Sequence, residues 1–149
     1  MNKAEQAKEN FLNGYNCAQS VILAFADDLS LDKETALKIA SPFGAGMGGL
    51  REVCGAVTAM SMIIGLKRGY CDPKNHEDKK KLYALIQEAA KKFQEENGSI
   101  VCKELLGLKE KCQAPEERTK EYYKKRPCQE LVFIAAQIAS EKLDSSETL

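Results

Sequence analysis

Along almost the whole chain the apolar residues recur at three- and four-residue intervals. Nowhere do they alternate with polar, β-branched residues for long enough to make a strand. Ala, Leu, Lys, Glu and Gln fill the long segments, and these are good helix formers. The pattern predicts an all-α chain. A first helix is expected from about Lys3 to Leu12, ending at Asn13-Gly14, with Asn16 placed to cap the next. The second runs from Cys17 to about Asp28 and turns Ala18, Val21, Ile22 and Phe25 to one side. A third follows Leu31, capped by Asp32 with Leu37 and Ile39 facing inward, and stops at Ser41-Pro42 because proline disfavours a helical residue before it. Four glycines between Gly44 and Gly49 then predict a loop free to take positive φ or to admit another group close to its backbone.

A helix from about Glu52 to Lys67 is apolar nearly all round, with Gly55, Ala56 and Ala59 leaving room for a neighbour, and is expected to be the buried centre of a compact multi-helix bundle. Past the Asp72-Pro73 turn, a long amphipathic helix from about His76 to Glu96 carries Leu82, Leu85, Ile86, Ala89 and Phe93 on one side and ends at Gly98. Ser99 is placed to cap a short helix through Leu106. The polar stretch from Gly107 to about Arg118 reads as loop or loose helix. A last helix opens at Pro127 and runs to about Lys142, before a polar tail from about residue 143. A chain of 149 residues suits a single domain over 1–149, and no internal repeat divides it.

The 22 basic residues balance the 22 acidic ones, so no global field favours nucleic acid or an anionic membrane. The longest apolar stretch, Val53 to Leu66, is too short to span a bilayer and predicts no membrane insertion. The start, Met1-Asn2-Lys3-Ala4-Glu5-Gln6, has none of the marks of a signal peptide, so a cytoplasmic location is expected. Six cysteines in a reducing compartment point to metal ligation or redox work rather than to structural bridges.

Four of the six fall at predicted helix starts. Cys17 follows Asn16, Cys54 lies in the first turn after Glu52, Cys102 comes three residues after Ser99, and Cys128 follows Pro127. A helix start carries unpaired N–H groups and a partial positive charge, so it is expected to favour the thiolate, the form that attacks disulfides and binds metals. Converging starts would surround a cluster of sulfurs with dipoles of the right sign. The glycines Gly46, Gly48, Gly49 and Gly55 would let backbone approach such a centre. The bland reading is that these cysteines are small hydrophobes packed in a helical core. The separations of 37, 48 and 26 residues, with no C-x-x-C hook, specify no metal. Cysteine-only ligation admits an iron-sulfur cluster or, alternatively, zinc.

Gly14-Tyr15-Asn16-Cys17-Ala18-Gln19, the glycine run before Cys54, Cys54-Gly55-Ala56-Val57-Thr58, the Ser99 to Gly107 segment and Cys128 with Ala135-Ala136 together resemble the C_GCAxxG_C_C family, named for its cysteine pattern. The resemblance covers nearly the full length. Where the family's motif closes with glycine this chain has Ala59, one methyl larger at a helix contact, with all four cysteine positions filled. The resemblance implies thiol redox chemistry or electron transfer. The region is also similar to a cysteine-bearing segment joined to haem domains in redox proteins that hold a two-iron, two-sulfur cluster.

Three functions are compatible with these residues. Cys17, Cys54, Cys102 and Cys128 could ligate an iron-sulfur or other thiolate-bound metal centre that passes electrons to an unidentified redox partner protein. They could instead be the catalytic thiols of a metal-free thiol-disulfide oxidoreductase, or the ligands of a structural site in a helical protein-interaction domain. Cys71 and Cys112 read as incidental exposed thiols or an accessory pair. His76, the single histidine, reads as solvated, and Lys120 to Arg126 as a solvated basic face rather than a nucleic-acid site. The glycine run lacks the Gly-Lys-Ser/Thr ending of a phosphate loop. A homodimer using the central helix is compatible with the sequence.

Overall fold

The computed structural model describes residues 1–107 and 127–144. Seven right-handed α-helices are found there: α1 (Lys3–Leu12), α2 (Cys17–Phe25), α3 (Lys33–Ala40), α4 (Gly55–Arg68), α5 (His76–Asn97), α6 (Cys102–Leu106) and α7 (Cys128–Asp144). Among the described residues there is no strand, only one antiparallel bridge between Val53 and Val101. No helix among them is long and apolar enough to cross a membrane. The all-α expectation holds.

The caps explain why the helices begin where they do. Asn2 and Glu5 close a reciprocal capping box on α1, and Asn16 and Gln19 close another on α2, where Gln19 N–H donates to Asn16 Oδ1 at 2.8 Å. Asp32 caps α3 and Asn75 caps α5 through the N–H groups of Thr35 and Asp78. α5 stops at Gly98, whose φ of +92° only glycine adopts without cost.

Helices α1, α2, α4 and α7 pack together as the core, with α3 against α2, and α5 against α4 and α7. Phe11, Phe25, Met60, Ile63, Ile64, Phe93 and Val132 are all buried in one cluster. Each such side chain contributes roughly 1.5–3 kcal/mol by leaving water. The central place expected for α4 is shared. α2 touches α1, α3, α4 and α7, and it buries six of its nine residues.

Five expectations are corrected. α2 ends at Phe25 rather than near Asp28. On α3 it is Ala36 and Ala40 that face the core, while Ile39 is 55% exposed and Leu37 half-buried. The eight-residue helix has a single narrow buried edge, and the small residues occupy it. α4 begins at Gly55, not Glu52, because residues 52–54 are extended and paired with the segment before Cys102. Ser99 does not cap α6 directly; its hydroxyl accepts from Val101 N–H, and the helix starts at Cys102. Cys112, the stretch from 108 to 118, the basic run 120–126 and the tail from 145 lie outside the described residues. Positions 143 and 144, assigned to the tail, belong to α7.

Asn16 does more than cap. Its Nδ2 also donates to Ser41 O at 3.1 Å, tying the start of α2 to the turn that follows α3. Asn16→Ala should therefore cost about 1–2 kcal/mol, and Asn2→Ala, an exposed cap with no such tie, should cost less. Urea unfolding of the two variants measures the difference.

Candidate redox site

The glycine run is not an open loop. After a 3₁₀ turn at Ser41–Phe43, the short helical turn Gly44–Met47 winds left-handed, with positive φ at Ala45, Gly46, Met47, Gly48 and Gly49, and again at Arg51. L-residues pay roughly 1–2 kcal/mol each for this hand. The turn is held by Arg51 N–H to Ala45 O at 3.1 Å and Glu52 N–H to Gly46 O at 2.9 Å. Beyond it the chain pairs with the segment leading into α6. Cys54 N–H donates to Ile100 O at 2.8 Å, and Cys102 N–H donates to Glu52 O at 2.6 Å. Two cysteines distant in sequence are thus fastened to one small frame.

The glycines decide how close the pieces come. A Cβ on Gly46 would stand 2.7 Å from Cys102 Cβ, Arg51 Cα and Glu52 N. One on Gly55 would stand 2.6 Å from Phe43 O and 3.4 Å from Cys17 Cβ. Gly46 and Gly55 therefore let the cysteine-bearing segments meet. Gly48 and Gly49 serve the handedness of the turn, and a Cβ on Gly48 would reach nothing nearer than Pro42 O at 3.7 Å.

All four predicted cysteines open a helix: Cys17, Cys102 and Cys128 as first residues and Cys54 as N-cap. Cys54, Cys102 and Cys128 are buried and Cys17 half-buried, and all four are free thiols. They gather in one place. The Cys17 thiol is hydrogen-bonded to that of Cys128, and this contact, burial and the nearby Cys128, Cys54 and Cys102 sulfurs hold its pKa well above the usual thiol range. Burial likewise pushes the Cys54 thiol up to about 12. It outweighs the N–H groups of Val57 and Ala56, which favour the thiolate without making a capping hydrogen bond.

The expectation that helix starts lower these thiol pKa values is thus reversed at Cys17 and Cys54. Desolvation and crowding by like groups are stronger than a few N–H dipoles. Among the described residues, no three His, Cys, Asp or Glu side chains stand as a ready-made metal-holding group. The thiols meet at hydrogen-bonding and electrostatic range.

Arg51 is the residue that sequence reasoning missed. It is only 7% exposed, and its Nη1 donates to Cys102 Sγ at 3.6 Å. An arginine among glycines reads as surface, and its place between the glycine run and Cys54 was the sole signal. Cys71 and His76 are exposed and lie apart from the cluster, in the turn before α5 and at its start.

Neither a curated protein nor a solved structure matches the chain. A family model described as "Putative redox-active protein (C_GCAxxG_C_C)" matches residues 15–142. That span opens just before the Asn16 cap, closes inside α7, and includes every one of the gathered cysteines. On that match the chain belongs to the C_GCAxxG_C_C family.

Proposed function

We propose that Cys17, Cys54, Cys102 and Cys128 form a single redox centre, binding an iron-sulfur cluster or another thiolate-bound metal centre and exchanging electrons with a partner redox protein. The observation that carries this reading is that the Cys17 thiol, at the start of α2, feels the sulfurs of all three others, which come from three separate segments. An all-cysteine donor set is soft and suits iron-sulfur or zinc, of which only the former carries electrons.

The four residues suit such a group in donor chemistry, and their sulfurs lie within electrostatic range of one another. Gly46 and Gly55 keep the approaches open, and the Arg51 guanidinium supplies positive charge beside a sulfur. Bound there, the group would supply reversible one-electron storage. The chain's own part is to deliver four sulfurs from rigid helix starts, to keep water from three of them, and to release their protons on loading. The reading goes with a reducing compartment such as the cytoplasm, where thiols stay available as ligands.

The test is iron and acid-labile sulfide content, with a visible spectrum, on protein purified without oxygen from iron-supplied cells. Equal iron and sulfide with a brown chromophore is the expected result. A colourless, metal-free protein with reactive thiols would overturn it.

One contact favours a second reading. The hydrogen-bonded Cys17 and Cys128 thiols are placed as a dithiol pair. Joining their Sγ atoms would release two protons and pass two electrons to an acceptor disulfide, with Cys54 and Cys102 resolving or tuning the pair. Alkylation of native protein with and without reductant separates the two. A dithiol enzyme changes by two thiols, whereas a filled metal site protects all four.

A further inference from the structure

We infer that Arg51 is a positioning residue of the four-cysteine centre: its buried guanidinium, donating through Nη1 to Cys102 Sγ, favours the electron-rich, reduced form of that centre. The inference rests on the reading of one redox centre proposed above.

Two observations carry it. The first is the contact itself, at 3.6 Å and with Arg51 only 7% exposed. A guanidinium stays charged at any pH the protein meets, and burying it is costly unless negative charge lies near. The second is the backbone. Arg51 has φ +61°, a conformation that L-residues rarely adopt, and the surroundings hold it there. Its N–H donates to Ala45 O, its carbonyl accepts from Lys103 N–H at 3.2 Å, and Gly46 lies against its Cα where no Cβ would fit. Strain of this kind persists where the structure over-determines it, and it gathers at functional sites. Here it aims a fixed cation at a sulfur.

The sign of the effect follows from charge. A thiolate-bound metal centre gains one electron, and with it one unit of negative charge, on reduction, so a nearby cation in a dry site stabilises the reduced form. The contribution comes from a buried group and should survive high salt, unlike that of a surface lysine.

The experiment is a dye-mediated redox titration, with dithionite as reductant, of the anaerobically prepared protein and its R51Q, R51K and K103Q variants. R51Q should lower the equilibrium constant for reduction about tenfold, which is about 59 mV for one electron. R51K should fall between R51Q and wild type, because lysine keeps the charge but loses the planar fork. K103Q, which removes an exposed charge on the same helix as Cys102, should stay near wild type, the more so at high salt. An R51Q constant within twofold of wild type overturns the inference, whatever happens to its Tm. Should R51Q fail to fold, R51K decides: a lowered constant supports the inference, and one at or above wild type overturns it. A two-electron, iron-free titration would sink the metal reading and this inference with it. A chain with no titratable couple would overturn both.

Discussion

Cys17→Ala should abolish the redox centre while leaving the fold standing. Removing even an outer partner of a metal ligand typically costs 10- to 100-fold in affinity or activity, so loss of a sulfur that is hydrogen-bonded to Cys128 and within electrostatic range of Cys54 and Cys102 should cost at least about 100-fold. Stability should change little, because Cys17 is half-buried at a helix start whose Asn16–Gln19 capping box is untouched. A change within about 1 kcal/mol is expected for such a site. Cys71→Ala is the control: that thiol is exposed, apart from the cluster, and should be silent. The measurement is iron and sulfide per chain, or reductant-dependent thiol count, beside a thermal melt. If Cys17→Ala keeps a full centre, the four-thiol assignment is wrong.

Gly46→Ala is the second large effect, and it acts on the fold. The new Cβ would press at 2.7 Å on the Cα of Arg51, the Cβ of Cys102 and the N of Glu52, at a residue whose φ is +66°. Two of those three atoms are backbone and cannot swing aside. A cost of about 2–4 kcal/mol is expected, or a fall in Tm on the order of 10 °C. Gly98→Ala separates the causes. That glycine also has positive φ, +92°, but a Cβ there would meet nothing within 4 Å. It should lose only the backbone preference, about 1 kcal/mol. Equal melting of the two variants would show that the close approach at Gly46 matters little.

These two expectations belong to different levels of the protein. The cysteine effect was legible in the sequence, because capping residues and helix periodicity are local. Asn16 before Cys17 and Pro127 before Cys128 announce helix starts from a handful of neighbours, and the structure places helices there. The long helix ending at Gly98 is equally local, since only glycine readily closes it with positive φ. Ile39 misled for the opposite reason. Its place on the helical wheel is a local fact, but whether another element covers it is not, and α3 is covered only along Ala36 and Ala40.

By itself the sequence determined that the chain is helical, where most of its helices begin and end, and which four cysteines stand at their starts. All of that follows from backbone propensity and from side chains meeting their own near neighbours. Only the tertiary structure decided that those four starts share one place, that Arg51 is turned inward onto Cys102, and that the thiols of Cys17 and Cys54 are held protonated. Dipoles at a helix start act within a turn and can be read from a segment. Burial, the crowding of sulfurs from distant segments, and the room that Gly46 and Gly55 leave for them exist only after the chain has packed.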